Sequence, residues 1–433
     1  MTEREAVAHL LRRATFGPTA EEVDAAERAG YPATLNRLLT PSGTDRGAAA
    51  TPTPTLGPDP AAQLEKGASR EQRQQANQQR REQVTTLTDW WLDRMVAAEH
   101  QTDEKLLFFW HGHWATSVQK VRSASLMLRQ LDTLRRLGRG PLAPLVEAMV
   151  RDPALILWLD GQKNTRKAPN ENLSRELMEL FTLGIGGGYT EADVKEGARA
   201  LTGWVVDRRT AVARFEERRH DRAPKTILGS RGAFDAGSYA RLLAARPEAA
   251  RFIASRLWFR YAGADVPPPE GITGPDTVTV LRRLFTAPTF PQTRDNLVKQ
   301  PVEWLVGAAR QLGVRPSALP EQGRRQLLAG LNALDQMPLR PPSVGGWPAG
   351  TAWLTTSSLQ ARLRLANQLA GAAAPAVLAR LTAAPDVGRP DALARLLVVD
   401  RWSARTRAAL TPLADDPRRL LVTGLVSPEY AVS

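Results

Sequence analysis

Cysteine is absent from this chain. That one fact excludes disulfides, iron–sulfur clusters held by thiolates, Cys-type zinc sites and thiol nucleophiles, so any metal must sit on His, Asp, Glu or Asn. Histidine is scarce, with five in 433 residues, and lysine supplies only eight of the 58 basic residues. No apolar run approaches the roughly 18 residues needed to span a bilayer. The opening MTEREAVAHLLRRATFG mixes charges where a signal peptide is basic and then apolar. The chain as it stands therefore reads as cytoplasmic, although the processed form of an exported precursor would read the same way. The net charge of +13 invites a nucleic-acid partner. Against that reading, the excess is arginine in an Ala- and Pro-rich composition, and no helix-turn-helix, zinc finger or aromatic RNA-binding signature accompanies it. A solvated basic surface is the better account.

What is present is helical periodicity over a chain long enough for one large domain or two ordinary ones, with 42% hydrophobic residues to build a core. Val7, Leu10, Leu11 and Ala14 fall at three- and four-residue spacings, and Phe16-Gly17-Pro18-Thr19 ends that helix before another begins at Ala20. Residues 1–40 read as N-terminal helices of the domain. Residues 41–81 read as a Pro/Ala/Gln-rich linker-like insert, with Pro41 to Arg80 short of large apolar side chains. Residues 82–433 read as the main helical domain. Its amphipathic stretches include Leu87–Met95, Leu106–Trp114, Val121–Leu137 and residues 171–183, and a Pro/Gly/Trp loop at 337–354 should pack Trp347 and Trp353 on the body. The expected fold is mainly α, a single large multi-helix domain with at most a small β-hairpin inside about 205–230, where Val205, Ala211, Ala213 and Phe215 flank a polar turn.

Three constellations could carry chemistry. His111 and His113 lie in FFWHGHW, and Glu104 stands seven residues earlier, two helical turns away on the face of His111. A helix ending at Gly112 would let both rings turn to one ion. In the second, Asn172, Glu176 and Glu179 occupy i, i+4 and i+7 beside a leucine stripe, where carboxylates near a core need a cation or an arginine. The bland alternative is an exposed acidic edge paired with Arg175 and Lys195. Gly184 to Gly188 follow a helix rather than a strand and form no phosphate loop. Thr190 and Asp193 are explained as a capping box for the next helix. Third, His220, Asp221 and Lys225 cluster in RRHDRAPKTILG, where a solvated loop competes with a functional role.

These stretches, together with HLLRRATFGPT, DPALILWLDGQKN, PPSVGGWPAGTAWL and the closing LLVTGLVSPEYAV, resemble the bacterial domain-of-unknown-function 1800 family from residue 9 to the C-terminus. The matching motif residues are His9, Glu104, His111, His113, Asn170, Glu171, Asn172, Arg175, Glu176, Glu179, Asp193, His220, Asp221, Lys225 and Trp347. The resemblance implies no assigned chemistry, and implies relatives that often look exported. From the residues, the leading expectation is a metal-dependent oxidoreductase acting on a small-molecule or peptide substrate. In it Glu104, His111, His113, Glu176 and Glu179 converge on a divalent transition metal, with iron, manganese, copper and zinc undistinguished. His220 and Asp221 would act as outer ligands or as acid and base, and Lys225 and Arg175 would hold an anionic group. The ferritin-like paired E-x-x-H motif is missing, which argues against a di-iron centre by analogy. A non-catalytic helical scaffold for a partner protein is the alternative, and a metal-dependent hydrolase the second alternative.

Overall fold

Helix starts are written locally into this chain. Thr2 with Glu5, Thr19 with Glu22, Ser69 with Gln72 and Thr190 with Asp193 each form a reciprocal capping box, satisfying N–H groups that a helix leaves open at its start. The computed structural model describes residues 1–432, and 61% of the chain is helical, with strand confined to two small two-stranded sheets, so the protein is mainly α. The helices needed below are α1 (Glu3–Ala14), α2 (Arg70–Ala97), α3 (Gln101–His113), α4 (Asn172–Glu176), α5 (Glu191–Ala200), α6 (Pro247–Tyr261), α7 (Pro301–Gln311), α8 (Glu321–Ala333) and α9 (Thr356–Gly371).

Two local features differ from the sequence expectation. The stretch Val121–Leu137 is not one helix. Arg122 takes a left-handed conformation, φ 55°, and Ser123 restarts the chain as N-cap of a new helix, Ala124–Leu137. The serine hydroxyl offers the Leu126 N–H a bond that competes with helix continuation. The region of the expected hairpin holds two. β1 (Trp204–Asp207) pairs antiparallel with β2 (Val212–Phe215), and β3 (Lys225–Ile227) with β4 (Ser230–Gly232). The second closes through Leu228 and Gly229, both at positive φ as a tight two-residue hairpin turn requires.

One apolar cluster runs from Leu10 to Tyr430 and includes Trp91, Trp110, Trp114, Trp258 and Trp304. The two ends of the chain belong to the same body. On α1, Arg13 is fully buried and donates to the carbonyls of Tyr261, Ala262 and Thr293, while Arg12 forms a two-pronged pair with Asp400. Near the C-terminus, the Lys299 N–H donates to Ala431 O at 2.9 Å. Between α1 and α3, the buried Lys105 ammonium meets Glu303 of α7 at 2.5 Å, and Arg260 of α6 reaches the same carboxylate at 3.0 Å. Residues 41–69 lie along α2, where Trp90 donates to Thr51 O and buried Asp59 pairs with Arg80. Among the described residues no helix is long and apolar enough to cross a membrane.

Candidate functional site

Helix α3 continues through Gly112 to His113, so its two late histidines, two residues apart, project about 200° from one another. The turn of both rings to one ion, expected from a helix end at Gly112, does not occur for that reason. His111 accepts the Leu339 N–H on Nε2 at 3.1 Å and sits edge-on to Trp91 and Trp347. On the other side of the helix, His113 donates from Nε2 to the carbonyl of Phe181 at 3.0 Å. That hydrogen bond leaves Nδ1 of His113 as the lone-pair nitrogen, buried and without a partner among the described residues. Burial, joined at His113 by the charge of nearby Arg256, lowers both rings to a pKa of about 3, so both are neutral.

The other expected metal ligands are placed apart. Buried Glu104 receives Arg94 at 2.8 Å and Arg135 at 3.2 Å, so two guanidiniums supply the counter-charge that a metal ion was expected to supply. It shares the face of His111 but lies about 10 Å from it along the axis. Glu176 and Glu179 are half-buried and make no hydrogen bond or ion pair among the described residues. Burial, and then the charge of Glu179, raises the Glu176 carboxyl above its ordinary range. Among the described residues no group of three or more His, Asp or Glu is placed to hold a metal ion.

The expected catalytic set is likewise engaged elsewhere. Arg175 pairs with Glu191 and Glu171 on the surface. Asp221 pairs with Arg199, and His220 donates from Nδ1 to the Thr202 carbonyl at 3.0 Å. Lys225 is buried with its ammonium on the carbonyls of Asp221 and Ala223, where it braces the loop preceding β3 instead of facing a ligand. His9 of α1 is buried against Phe290 and Thr293.

What the fold does bring together is a hollow of about 490 Å³ at the inner end of α3. His113 lines it. Beyond α4 the helix widens into a π turn over Leu177–Thr182, with the N–H groups of Leu183 and Gly184 both on the Met178 carbonyl, and this turn brings Glu179 to the lining. Such single π turns are often found at functional sites. The glycine stretch after it passes close to α6: Gly184 has φ +83°, and a Cβ there would stand 2.7 Å from the Phe252 ring. From the 337–354 loop come Val344 and Gly345. The next residue, Gly346, has φ +86°, and a Cβ on it would lie 2.4 Å from the Gly112 carbonyl, so only glycine lets the loop lie this close to α3. Trp347 then stacks on Phe108 at 5.4 Å, and Trp353 is buried, as the loop was expected to achieve.

Helix α6 supplies the part that sequence reasoning missed. It lines the hollow with Glu248, Arg251, Phe252, Ser255 and Arg256. Glu248 holds Arg251 at 2.9 Å, but Arg256 makes no hydrogen bond or ion pair among the described residues, and burial lowers its pKa. In RFIASRLWFRY the three arginines read alike as a solvated face, and nothing local marks one of them as unpaired.

Fold and site thus define a mainly α-helical protein with a polar hollow, built where three sequence motifs and one arginine-bearing helix meet. The chain belongs to the DUF1800 family of proteins of unknown function, whose model matches residues 9–432. No curated protein and no solved structure matches the chain.

Proposed function

We propose that the hollow is the substrate site of an enzyme that performs acid–base chemistry on a small polar organic molecule. The observation that carries this reading is the pairing of a buried neutral imidazole, His113 with Nδ1 unpartnered, and an arginine, Arg256, without a counter-ion. Burying the imidazole nitrogen, and the Nε of the half-buried guanidinium, removes hydration that a ligand would return. In this reading Arg256 orients an electronegative group, the His113 lone pair accepts a hydrogen bond from a substrate hydroxyl or amine, and Glu179 is the carboxylate able to exchange a proton. Burial chiefly holds the His113 pKa down, and a negative ligand charge beside Arg256 would offset that arginine's smaller share.

The arrangement supports this better than a metal-dependent oxidoreductase or hydrolase. Of the five side chains expected to hold iron, manganese, copper or zinc, only His113 and Glu179 line the hollow, so the donor set does not fit one ion. A scaffold role has one observation in its favour, the exposed Leu354, Leu359 and Leu363 at and along α9.

The test is a thermal-shift screen of polar metabolites against the wild type, Glu179→Gln and His113→Gln, with elemental analysis of the same preparations. Compounds that stabilise the wild type and lose their effect in Glu179→Gln, a half-exposed position that tolerates change, are the expected result. Ligands indifferent to both substitutions would remove the hollow from the function. Stoichiometric metal lost on His113→Ala with the fold intact would return the metal-enzyme reading to first place.

A further inference from the structure

Beside the hollow lies a smaller cavity, about 60 Å³, that shares His113 and Arg256 with it and is also lined by Arg260, Gln300 and Trp347. At roughly 15 Å³ for each water-sized group, it has room for about four, the size of a carboxylate with its attached carbon or of a phosphoryl group. Among the described residues no acidic side chain lines it.

The lining residues are rich in unused donors. Arg260 is 8% exposed, gives one nitrogen to Glu303, and keeps Nη2 buried without a partner among the described residues. Trp347 Nε1 and Arg256 Nε are buried in the same condition. The acid that pairs with Arg260, Glu303, does not balance these charges. Glu303 already receives Lys105 at 2.5 Å, so with Lys105 protonated the trio of Lys105, Arg260 and Glu303 leaves one positive charge, and half-buried Arg256 adds a second at the cavity's edge. Gln300 offers little as an acceptor, since its Oε1 already takes a hydrogen bond from Gln336. Water can satisfy N–H groups but brings no negative charge, and a buried cation without one is strongly unfavourable. A group with two or more oxygens and a negative charge meets both needs, most directly through the two-pronged geometry of a guanidinium.

We propose that this cavity is an oxyanion subsite, which takes the carboxylate or phosphoryl group of a ligand whose body occupies the larger hollow. The placement of the body rests on the reading given under Proposed function; the anion subsite is tested by itself. It also assigns Trp347 a donor role beyond packing and explains why Arg256 is left unpaired.

The experiment titrates the full-length protein with sodium acetate and, separately, with inorganic phosphate, at constant ionic strength made up with chloride, and follows thermal unfolding. A saturable stabilisation is expected below about 0.1 M anion. Acetate alone would mark a carboxylate subsite, phosphate alone a phosphoryl subsite, and both a general oxyanion subsite. Arg256→Gln should weaken the apparent affinity about tenfold or more, as loss of a charged hydrogen bond does, and should leave the anion-free protein at least as stable as the wild type. Trp347→Phe keeps the ring and removes only the N–H, and should weaken binding several-fold. Arg251→Gln, outside this cavity, should not. If neither anion acts beyond chloride, or if Arg256→Gln and Trp347→Phe bind as the wild type does, the proposal is overturned. Loss of the anion effect's dependence on these two residues, with metabolite binding still sensitive to Glu179→Gln, would overturn the subsite and leave the hollow's role standing.

Discussion

A buried imidazole stays neutral when burial removes more hydration than its neighbours return, and His9, His111 and His113 are all in that state, with pKa values near 2, 3 and 3. As pH falls below the ordinary histidine value of 6.5, the unfolded chain takes up these protons and the folded chain does not. Stability is therefore complete above about 6.5 and declines toward pH 3, by up to about 1.4 kcal/mol per pH unit for each ring. Urea unfolding at pH 7.5, 6 and 5 should show this decline, and His111→Gln should remove about one proton's share of the slope. Glu303 acts in a lower window. Burial pushes its carboxyl up, but Lys105 and Arg260 hold it at about 2, below its ordinary 4.5, so its contribution is present above 4.5 and is lost as pH falls through about 2. Glu303→Gln should destabilise the protein by about 3–5 kcal/mol at pH 7, because it leaves two cations buried together.

Helices and their limits were legible in the sequence because their signals are short-range. The capping box of Thr190 and Asp193, the apolar spacing in α1 and α3, and the stop at Phe16-Gly17-Pro18 all act within one or two turns. The break at Arg122-Ser123 and the π turn after α4 were not legible. Each is decided by a competing local hydrogen bond or by packing on neighbours, and apolar periodicity does not register either. The 337–354 loop is the element on which the candidate site most depends. Gly346→Ala should cost about 1–3 kcal/mol for the positive φ alone, with more from the approach to Gly112 O. We expect reduced thermal stability and loss of the anion effect together; an unchanged melting temperature would show that the loop is free of α3.

At the scale of the whole molecule, the first and last segments of the chain close the same core. Lys105 donates to the carbonyls of Arg12 and Thr15, Arg13 to three carbonyls from distant segments, and Tyr430 to Gln311 of α7. Calorimetry should accordingly give one cooperative transition, and a chain beginning at Phe16 should fail to fold, since it leaves buried acceptors and the Glu303 network open. Two resolved transitions would instead mark separate folding units. The sequence by itself determined the absence of thiol chemistry, the helical class, most helix starts and the motif stretches that meet at the hollow, because composition, periodicity and caps are properties of neighbouring residues. Only the tertiary structure decided that Glu104 meets arginines, that His111 and His113 part company, and that Arg256 meets no acid among the described residues. Those outcomes depend on which side chains distant helices carry to the same point, and a spacing of three or four residues fixes a face but not what that face meets.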